Sequence, residues 1–123
     1  MNGKPAVFLD ILYEQGLLFF VIKNNSQVAA TDVTFTFDQK LKGVDSRVEI
    51  TELNIFKQLK YLAPHKEIKI FIDVAEAFFS RGEPTELKVN IDWSDEKGKE
   101  QFSTVIRHDF TIYKDLGYIN QIN

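Results

Sequence analysis

The stretch LLFFVIKNNSQVAATDVTFTFD, residues 17–38, decides how the rest of the chain is interpreted. In its second part Val33, Phe35 and Phe37 alternate with polar and acidic residues. Side chains of a strand point to opposite faces with a period of two, so this alternation is typical of a half-buried antiparallel strand. The pattern therefore predicts a strand with one apolar face and one solvent-facing side.

The strand that comes before it, residues 17–24, is apolar in both of its side-chain rows. One row consists of Leu18, Phe20 and Ile22, and the other of Leu17, Phe19 and Val21. A strand that is apolar on both faces is covered on both faces. We expect the first row to enter the core, and the second row to meet a loop, the chain's tail or a partner.

A polar triplet, Asn24-Asn25-Ser26, joins the two strands. The triplet matches the N-glycosylation acceptor pattern, but no secretory leader precedes it. Asn and Ser hydrogen-bond their own backbone and favour turns. We therefore interpret the triplet as a turn.

Length and charge limit the possible functions. A chain of 123 residues suits one domain with one core. A net charge of −3 argues against nucleic acid as a partner, because phosphate contacts need a basic surface. The chain has no Cys, which excludes disulfides, zinc–thiolate sites and cysteine nucleophiles. No run of about 18 apolar residues is present, so we expect no membrane span. If the chain is complete, the lack of a leader indicates a cytoplasmic location.

Alternation and turn residues extend the strand prediction along the chain. Further strands are predicted at 6–13, 47–51, 67–74, 86–93 and 101–112. Between them, residues 52–62 are predicted to form an irregular crossing segment. In the predicted strand 67–74, Asp73 stands in the row opposite the apolar isoleucines, together with Glu67 and Lys69. Asp73 and Glu76 also have capping-box spacing before a short helix at 75–81, which Gly82 can end.

These elements predict the fold class. About seven short strands separated by turns are typical of a sandwich rather than of βαβ units. We predict an all-β, immunoglobulin-like antiparallel β-sandwich with one short helical turn near 75–81. We expect one domain over residues 1–123, in which 1–5 and 116–123 are loosely ordered.

Three segments carry a resemblance to a known family: FFVIKNNSQVAATDVTFTF, YLAPHKEIKIFIDV and ELKVNIDWSDEKGKEQF. Together they resemble bacterial and archaeal immunoglobulin-like domains of the CARDB type, through Asn24, Ala30, Val33, Leu62 and Pro64. Similar steps occur in fibronectin type III-like domains, and the KNNS region is similar to the intracellular proteinase inhibitors of Bacillus type. The resemblance implies a sandwich used for binding or spacing, and it carries over no catalytic residue.

The residues that could take part in catalysis or metal binding are better explained by structural roles. His108 and Asp109 are neighbours in a predicted strand and diverge to opposite faces, which argues against a catalytic pair. His65 lies far from His108 in sequence, so a histidine metal site is not expected. Asp95 belongs to an acidic turn without EF-hand spacing. Trp93 continues an apolar row and is expected at the core edge. We predict no catalytic residue, no metal, no cofactor and no small-molecule ligand.

The remaining bulky apolar residues lie in connections, where they either plug the ends of the sandwich or form a binding patch. Together with the second row of the 17–24 strand they are the candidate interaction surface: Leu17, Phe19, Val21, Ile55, Phe56, Tyr61, Phe78 and Phe79. We expect a non-catalytic protein-interaction or spacer module, possibly part of a longer protein, that binds a protein partner or itself. The alternative is a regulatory binding protein similar to intracellular proteinase inhibitors.

Overall fold

The computed structural model describes residues 3–114, which form an antiparallel β-sandwich. In chain order the strands are β1 (Val7–Glu14), β2 (Leu17–Asn24), β3 (Ala30–Phe37), β4 (Lys42–Gly43), β5 (Val48–Glu49), β6 (Leu59–Leu62), β7 (Glu67–Val74), β8 (Glu86–Ser94) and β9 (Gln101–Asp109). The α-helices are α1 (Asn54–Lys57) and α2 (Ala75–Ser80), and 3-10 turns lie at Ile50–Glu52 and Phe110–Tyr113. Within residues 3–114, no helix is long and apolar enough to cross a membrane.

Two larger sheets face each other across the core. The three-stranded sheet has the order β1-β2-β7, and the four-stranded sheet has the order β6-β3-β8-β9. All strand pairs are antiparallel. The two-residue strands β4 and β5 form a separate small hairpin. The prediction of an all-β sandwich is therefore confirmed.

Phe20 lies at the centre of the core and joins the two sheets. Its ring is 5.9 Å from Phe37 of the opposite sheet, 5.9 Å from Phe56 of α1 and 6.1 Å from Phe110. Each fully buried aromatic of this kind stabilises the fold by roughly 1.5–3 kcal/mol through removal of apolar surface from water. Leu18 and Ile22 are as completely buried as Phe20, which confirms that the first row of this strand enters the core.

Asn24 holds one end of the sandwich through its buried side chain. Its amide nitrogen donates to the carbonyl oxygens of Val28 (2.8 Å), Leu62 (3.1 Å) and Ala63 (3.2 Å), and its oxygen accepts from the Ser26 hydroxyl. One amide thus joins the β2–β3 turn to the β6–β7 turn, and so connects the two sheets. The turn interpretation of this triplet is confirmed, and the buried Asn24 side chain is closed to glycosylation in the folded chain.

The connections depart from the prediction more than the long strands do. In the predicted strand 47–51 only Val48 and Glu49 pair, and the chain then turns into a 3-10 helix. The predicted irregular segment 52–62 contains α1 and strand β6, so that prediction is wrong. The predicted strand 101–112 ends at Asp109, where the carboxylate accepts from the Thr111 N–H and begins a 3-10 turn.

Helix α2 confirms the predicted short helix, although its cap differs. Gly82 follows it with φ of +76°, as expected for the residue after a helix. No side chain caps its first turn, because the Asp73 carboxylate accepts from the neighbouring Val74 N–H and is buried in other contacts.

The predicted loose ends are only partly described. Within 1–5, Pro5 is buried and its carbonyl accepts from the Trp93 indole N–H at 3.1 Å, so this residue is firmly held. The segment 116–123 lies outside the described residues.

We predict that Asn24→Ala lowers the free energy of unfolding by about 2–4 kcal/mol, because it leaves buried carbonyl groups without a donor. Urea unfolding followed by tryptophan fluorescence measures this change. Asn25→Ala is the matched control, since Asn25 is exposed and its contact with Ala6 uses only its backbone N–H. Equal stability of both variants would show that the Asn24 amide does not hold the two turns together.

Candidate functional site

The outer face of the three-stranded sheet carries many apolar side chains, although no sheet formed by residues 3–114 covers it. Its apolar residues are Phe8 and Leu12 of β1, Leu17, Phe19 and Val21 of β2, and Phe71 and Val74 of β7, and its charged residues are Asp10, Glu14, Lys23, Glu67 and Lys69. Phe8 is 42% exposed, Phe71 38% and Val74 45%. The second apolar row of β2 forms the middle of this face, because β2 lies at the centre of the sheet. We call this set of residues the outer face.

Phe19 and Phe71 form the middle of the outer face. They are cross-strand partners, and their rings meet edge to face with centroids 5.8 Å apart. On the other side of Phe19 stands Leu12, and further along the same strands Leu17 is paired with Val74. Apolar side chains thus run without interruption across all three strands, an arrangement that marks an interaction surface when it is exposed.

Two ion pairs lie on the outer face: Lys23 pairs with Glu67 at 3.8 Å, and Lys69 pairs with Glu14. Lys69 extends from β7 over the Phe19 ring, with its ammonium 4.8 Å from the ring centroid, and reaches the Glu14 carboxylate of β1 at 3.2 Å. The stem of the lysine shields part of Phe19 while its charge stays in water. Both charged side chains are about half exposed, and such pairs contribute roughly 0–1 kcal/mol, so little free energy holds this cover in place.

The predicted interaction residues do not form one surface in the structure. Leu17 and Phe19 are partly exposed on the outer face, and Tyr61 is 57% exposed on the other sheet. Ile55 and Phe79 are partly buried against the core. The structure does not bring Tyr61 together with the outer face, since its strand belongs to the four-stranded sheet.

Three of the predicted surface residues are buried, and for these the prediction of an exposed surface is wrong, although Val21 lies in the outer-face row of β2. Phe56 and Phe78 are completely buried, and Val21 is 7% exposed. Phe56 packs against Phe35 and Phe37, while Phe78 packs against Phe110 at 5.1 Å. The short helices turn these side chains inward, so they close the sandwich as plugs.

Four apolar residues of the outer face were not among the candidates: the buried Leu12, and the exposed Phe8, Phe71 and Val74. Phe71 was detectable, because it stands in the polar row of its strand between Lys69 and Asp73. Phe8 likewise occupies the phase opposite to Val7 and Leu9. A bulky apolar residue in a solvent-facing row was therefore the available signal. Val74 could not be identified in this way, because in the sequence it continues the apolar row of its strand, and only a register shift between Leu18 and Phe19 brings it to the outer face.

Asp73 and Arg81 form a buried ion pair at the end of β7. Their side chains are 4% and 15% exposed, and Arg81 also donates to the Lys42 carbonyl oxygen at 2.9 Å. A second carboxylate, Glu83, lies 3.6 Å from the Arg81 Nε and accepts from the Lys42 N–H. The sequence placed Asp73 in a solvent-facing row, and its burial was not predicted.

This charged cluster holds a backbone segment of unusual conformation. Val44, Asp45 and Ser46 all have positive φ, which costs roughly 1–2 kcal/mol for each residue other than glycine. The Asp45 N–H donates to the Asp73 carboxylate, and the Val44 N–H donates to the Ile72 carbonyl oxygen. Asp73, Arg81 and Glu83 therefore bind backbone groups of the 42–45 segment, which indicates that this charged cluster has a structural role.

The other polar residues singled out in the sequence are also engaged in structural contacts. His108 places its Nε2 2.7 Å from the Leu9 carbonyl oxygen and so joins the two sheets. The Asp95 carboxylate accepts from backbone N–H groups of its own turn, chiefly that of Lys99, which lowers its pKa. Trp93 is buried and stacks on Phe102, as expected for the core edge. Between residues 3 and 114, no three His, Asp or Glu side chains are grouped to hold a metal ion.

A groove of about 500 Å³ lies between the end of β3 and the segment that contains α1. Its walls include Thr34, Thr36, Lys40 and Lys57, and Phe56 lies at its side. The lining also includes Thr51 and Glu52, which are engaged in structural contacts: the Thr51 hydroxyl accepts from the Leu41 N–H, and Glu52 pairs with Lys57 at 3.6 Å. The groove therefore adds no chemistry to the outer face.

The buried and the exposed ion pair predict different responses to charge removal. Asp73→Asn should lower the free energy of unfolding by about 2–4 kcal/mol, because Arg81 stays buried with only the more distant Glu83 as its counter-charge. Glu14→Gln should change it by less than about 1 kcal/mol. Urea unfolding of both variants tests the contrast. A small loss for Asp73→Asn would mean that this pair does not fix the 44–46 loop.

One protein family is similar to this chain over most of its length. A protein-family model described as "Domain of unknown function (DUF8453)" matches residues 2–114. No curated protein and no solved structure matches the chain. Because the match covers almost the whole sandwich, the chain belongs to this DUF8453 family of domains.

Proposed function

We propose that the chain is a non-catalytic protein-interaction module that binds a protein partner through the outer face of its three-stranded sheet. The observation that carries the proposal is the apolar row from Leu12 through Phe19 to Phe71, in which Leu12 is buried, Phe19 is partly exposed and Phe71 is exposed, with Val74 exposed beside it. Surfaces of this kind on a small domain mark places where another molecule binds.

The chemistry of the outer face indicates the kind of partner. Its centre offers aromatic surface, and its flanks offer the opposite charges of Lys69 and Glu14. A partner that inserts an apolar side chain beside Phe71 can displace the weak ion pair and give each charge a new counterpart. Binding anchors of this type are buried in the middle of an interface and surrounded by polar contacts.

The immunoglobulin-like assignment, with its likeness to CARDB-type domains, is part of this proposal. Three strands facing four in antiparallel sheets are compatible with such modules, which bind or space other domains. An inhibitor would instead need a projecting loop with apolar anchors. The apolar residues Leu41, Ile50 and Phe56 in the long β3–β6 connection are buried, so the geometry favours the sheet face.

We predict that the double variant Phe71→Ser/Val74→Ser stays folded but loses its partner. Both side chains are partly exposed, so we expect the free energy of unfolding to fall by about 1–2 kcal/mol, chiefly through loss of the Phe71–Phe19 ring contact. The immobilised chain is used to retain proteins from its own organism, and the retained protein is then purified and titrated by calorimetry. The variant should weaken its dissociation constant by at least about tenfold.

Ile112→Ser provides the matched control, because Ile112 is also exposed and apolar but lies on the 3-10 turn after β9. It should bind the partner as the unchanged chain does. A partner that binds the double variant and the unchanged chain equally well would contradict the proposed binding face.

A further inference from the structure

The four-stranded sheet has a gap in its pairing beside the end of β3. Strand β6 pairs with β3 only as far as Val33, which lies opposite Leu59. The residues that precede Leu59 form α1 instead of a longer strand, whereas β3 continues to Phe37 and pairs with β8 throughout. Residues 34–37 of β3 therefore have a neighbouring strand of the described chain on one side only.

The register of β3 shows which backbone groups face this gap. The Asp38 N–H donates to the Lys88 carbonyl oxygen at 3.0 Å, so Asp38 faces β8. In an antiparallel pair, alternate residues direct their backbone groups to the same neighbour. The N–H and C=O groups of Phe35 and Phe37 therefore point away from β8. Within residues 3–114 these four backbone groups form no hydrogen bond.

The unpaired groups lie beside the groove of about 500 Å³ between residues 34–40 and residues 51–57. Phe35 and Phe37 both line this groove, although their rings pack against Phe56 in the core, so it is their backbone that faces it. Phe35 is only 5% exposed. Buried backbone N–H and C=O groups are almost always hydrogen-bonded, so these groups require a partner in the groove.

The groove is closed at both ends, which limits what can enter it. At one end Val33 is paired with Leu59. At the other end the Leu41 N–H donates to the Thr51 hydroxyl, and the Ile50 N–H donates to the Leu41 carbonyl oxygen. A strand fixed in the sheet of another sandwich does not fit, because the 51–57 segment stands where the next strand of that sheet would lie. A short single segment fits.

We propose that the groove binds a short extended peptide segment of another protein, which pairs with Phe35 and Phe37 as an added strand. The paired part comprises about four residues, the length of the unpaired stretch of β3. An extended segment presents an N–H and a C=O on one side at every second residue, which matches the spacing of the two unpaired residues. This site is separate from the outer face and stands independently of the proposed function.

The charges that line the groove indicate the side chains of the peptide. Glu52 pairs with Lys57 at 3.6 Å, and the Asp38 carboxylate accepts from the Lys88 N–H at 2.9 Å. Lys40 also lines the groove and is exposed, and within residues 3–114 it has no ion-pair or hydrogen-bond partner. The uncompensated charge of the groove is therefore positive, so the peptide carries an acidic side chain at the Lys40 end.

The first test selects linear heptapeptides, displayed on phage, on the immobilised chain, and titrates the enriched peptides by calorimetry. We expect enriched peptides that contain Asp or Glu, and a dissociation constant at least about tenfold weaker for Lys40→Glu. Lys60→Glu is the matched control, because it makes the same charge change at an exposed residue of β6 that does not line the groove. It should bind the peptides as the unchanged chain does.

Amide hydrogen exchange of the unchanged chain tests the backbone pairing without any variant. In the free chain the amides of Phe35 and Phe37 should exchange faster than those of Thr34 and Thr36, which pair with β8. Addition of a selected peptide should slow exchange at Phe35 and Phe37. N-methylation of alternate residues of the peptide should weaken binding strongly in one phase and much less in the other, because only one phase donates to β3.

Three results would overturn the proposal. The first is a selection that enriches no peptide, or peptides that leave the exchange of Phe35 and Phe37 unchanged. The second is equal binding of the peptides to Lys40→Glu and to the unchanged chain. The third is exchange at Phe35 and Phe37 in the free chain as slow as at Thr34 and Thr36, because another part of the chain or a second copy would then already pair with them.

Discussion

The structure depends on a constraint set by β2, which is apolar on both faces while the sandwich covers only one. Leu18, Phe20 and Ile22 join the core, and Phe20 alone contacts aromatic rings from three other elements. Phe19 occupies the opposite row, where a half-exposed Lys69–Glu14 ion pair is its main cover. The same strand that builds the core therefore also creates the apolar outer face, and neither can be changed without the other.

Polar contacts fix the two ends of the sandwich and keep this arrangement rigid. At one end Asn24 joins two turns that belong to different sheets. At the other end Asp73 and Arg81 hold the 42–46 loop against β7. Most buried polar atoms of these contacts are paired, although Arg81 Nε has no hydrogen-bond partner, and a shift of the chain would leave more of them unsatisfied. The outer face is thus presented on a firmly held sheet, as a binding surface requires.

Alternation of side chains was enough to predict the long strands, the sandwich and most of the core. Alternation did not predict side chains whose positions depend on tertiary contacts. Phe56 and Phe78 lie in connections between strands, and only the packed structure shows that short helices turn them inward. Asp73 was placed in solvent because its partner Arg81 follows after a helix. Edge strands were also beyond the sequence, since strand order depends on pairings between distant segments. On the outer face, Leu17 and Phe19 were predicted from the sequence, whereas Phe71 and Val74 were not.

The central claim is that the outer face is open to solvent in the isolated chain. Hydroxyl-radical footprinting of the dilute protein tests it, with each side chain's oxidation rate corrected for its intrinsic reactivity. The account predicts that Phe71 is modified at a rate close to that of the exposed Tyr61, while Phe20 and Phe56 are almost unmodified. Protection of Phe71 equal to that of Phe56 would contradict the account, because another part of the chain would then cover the face.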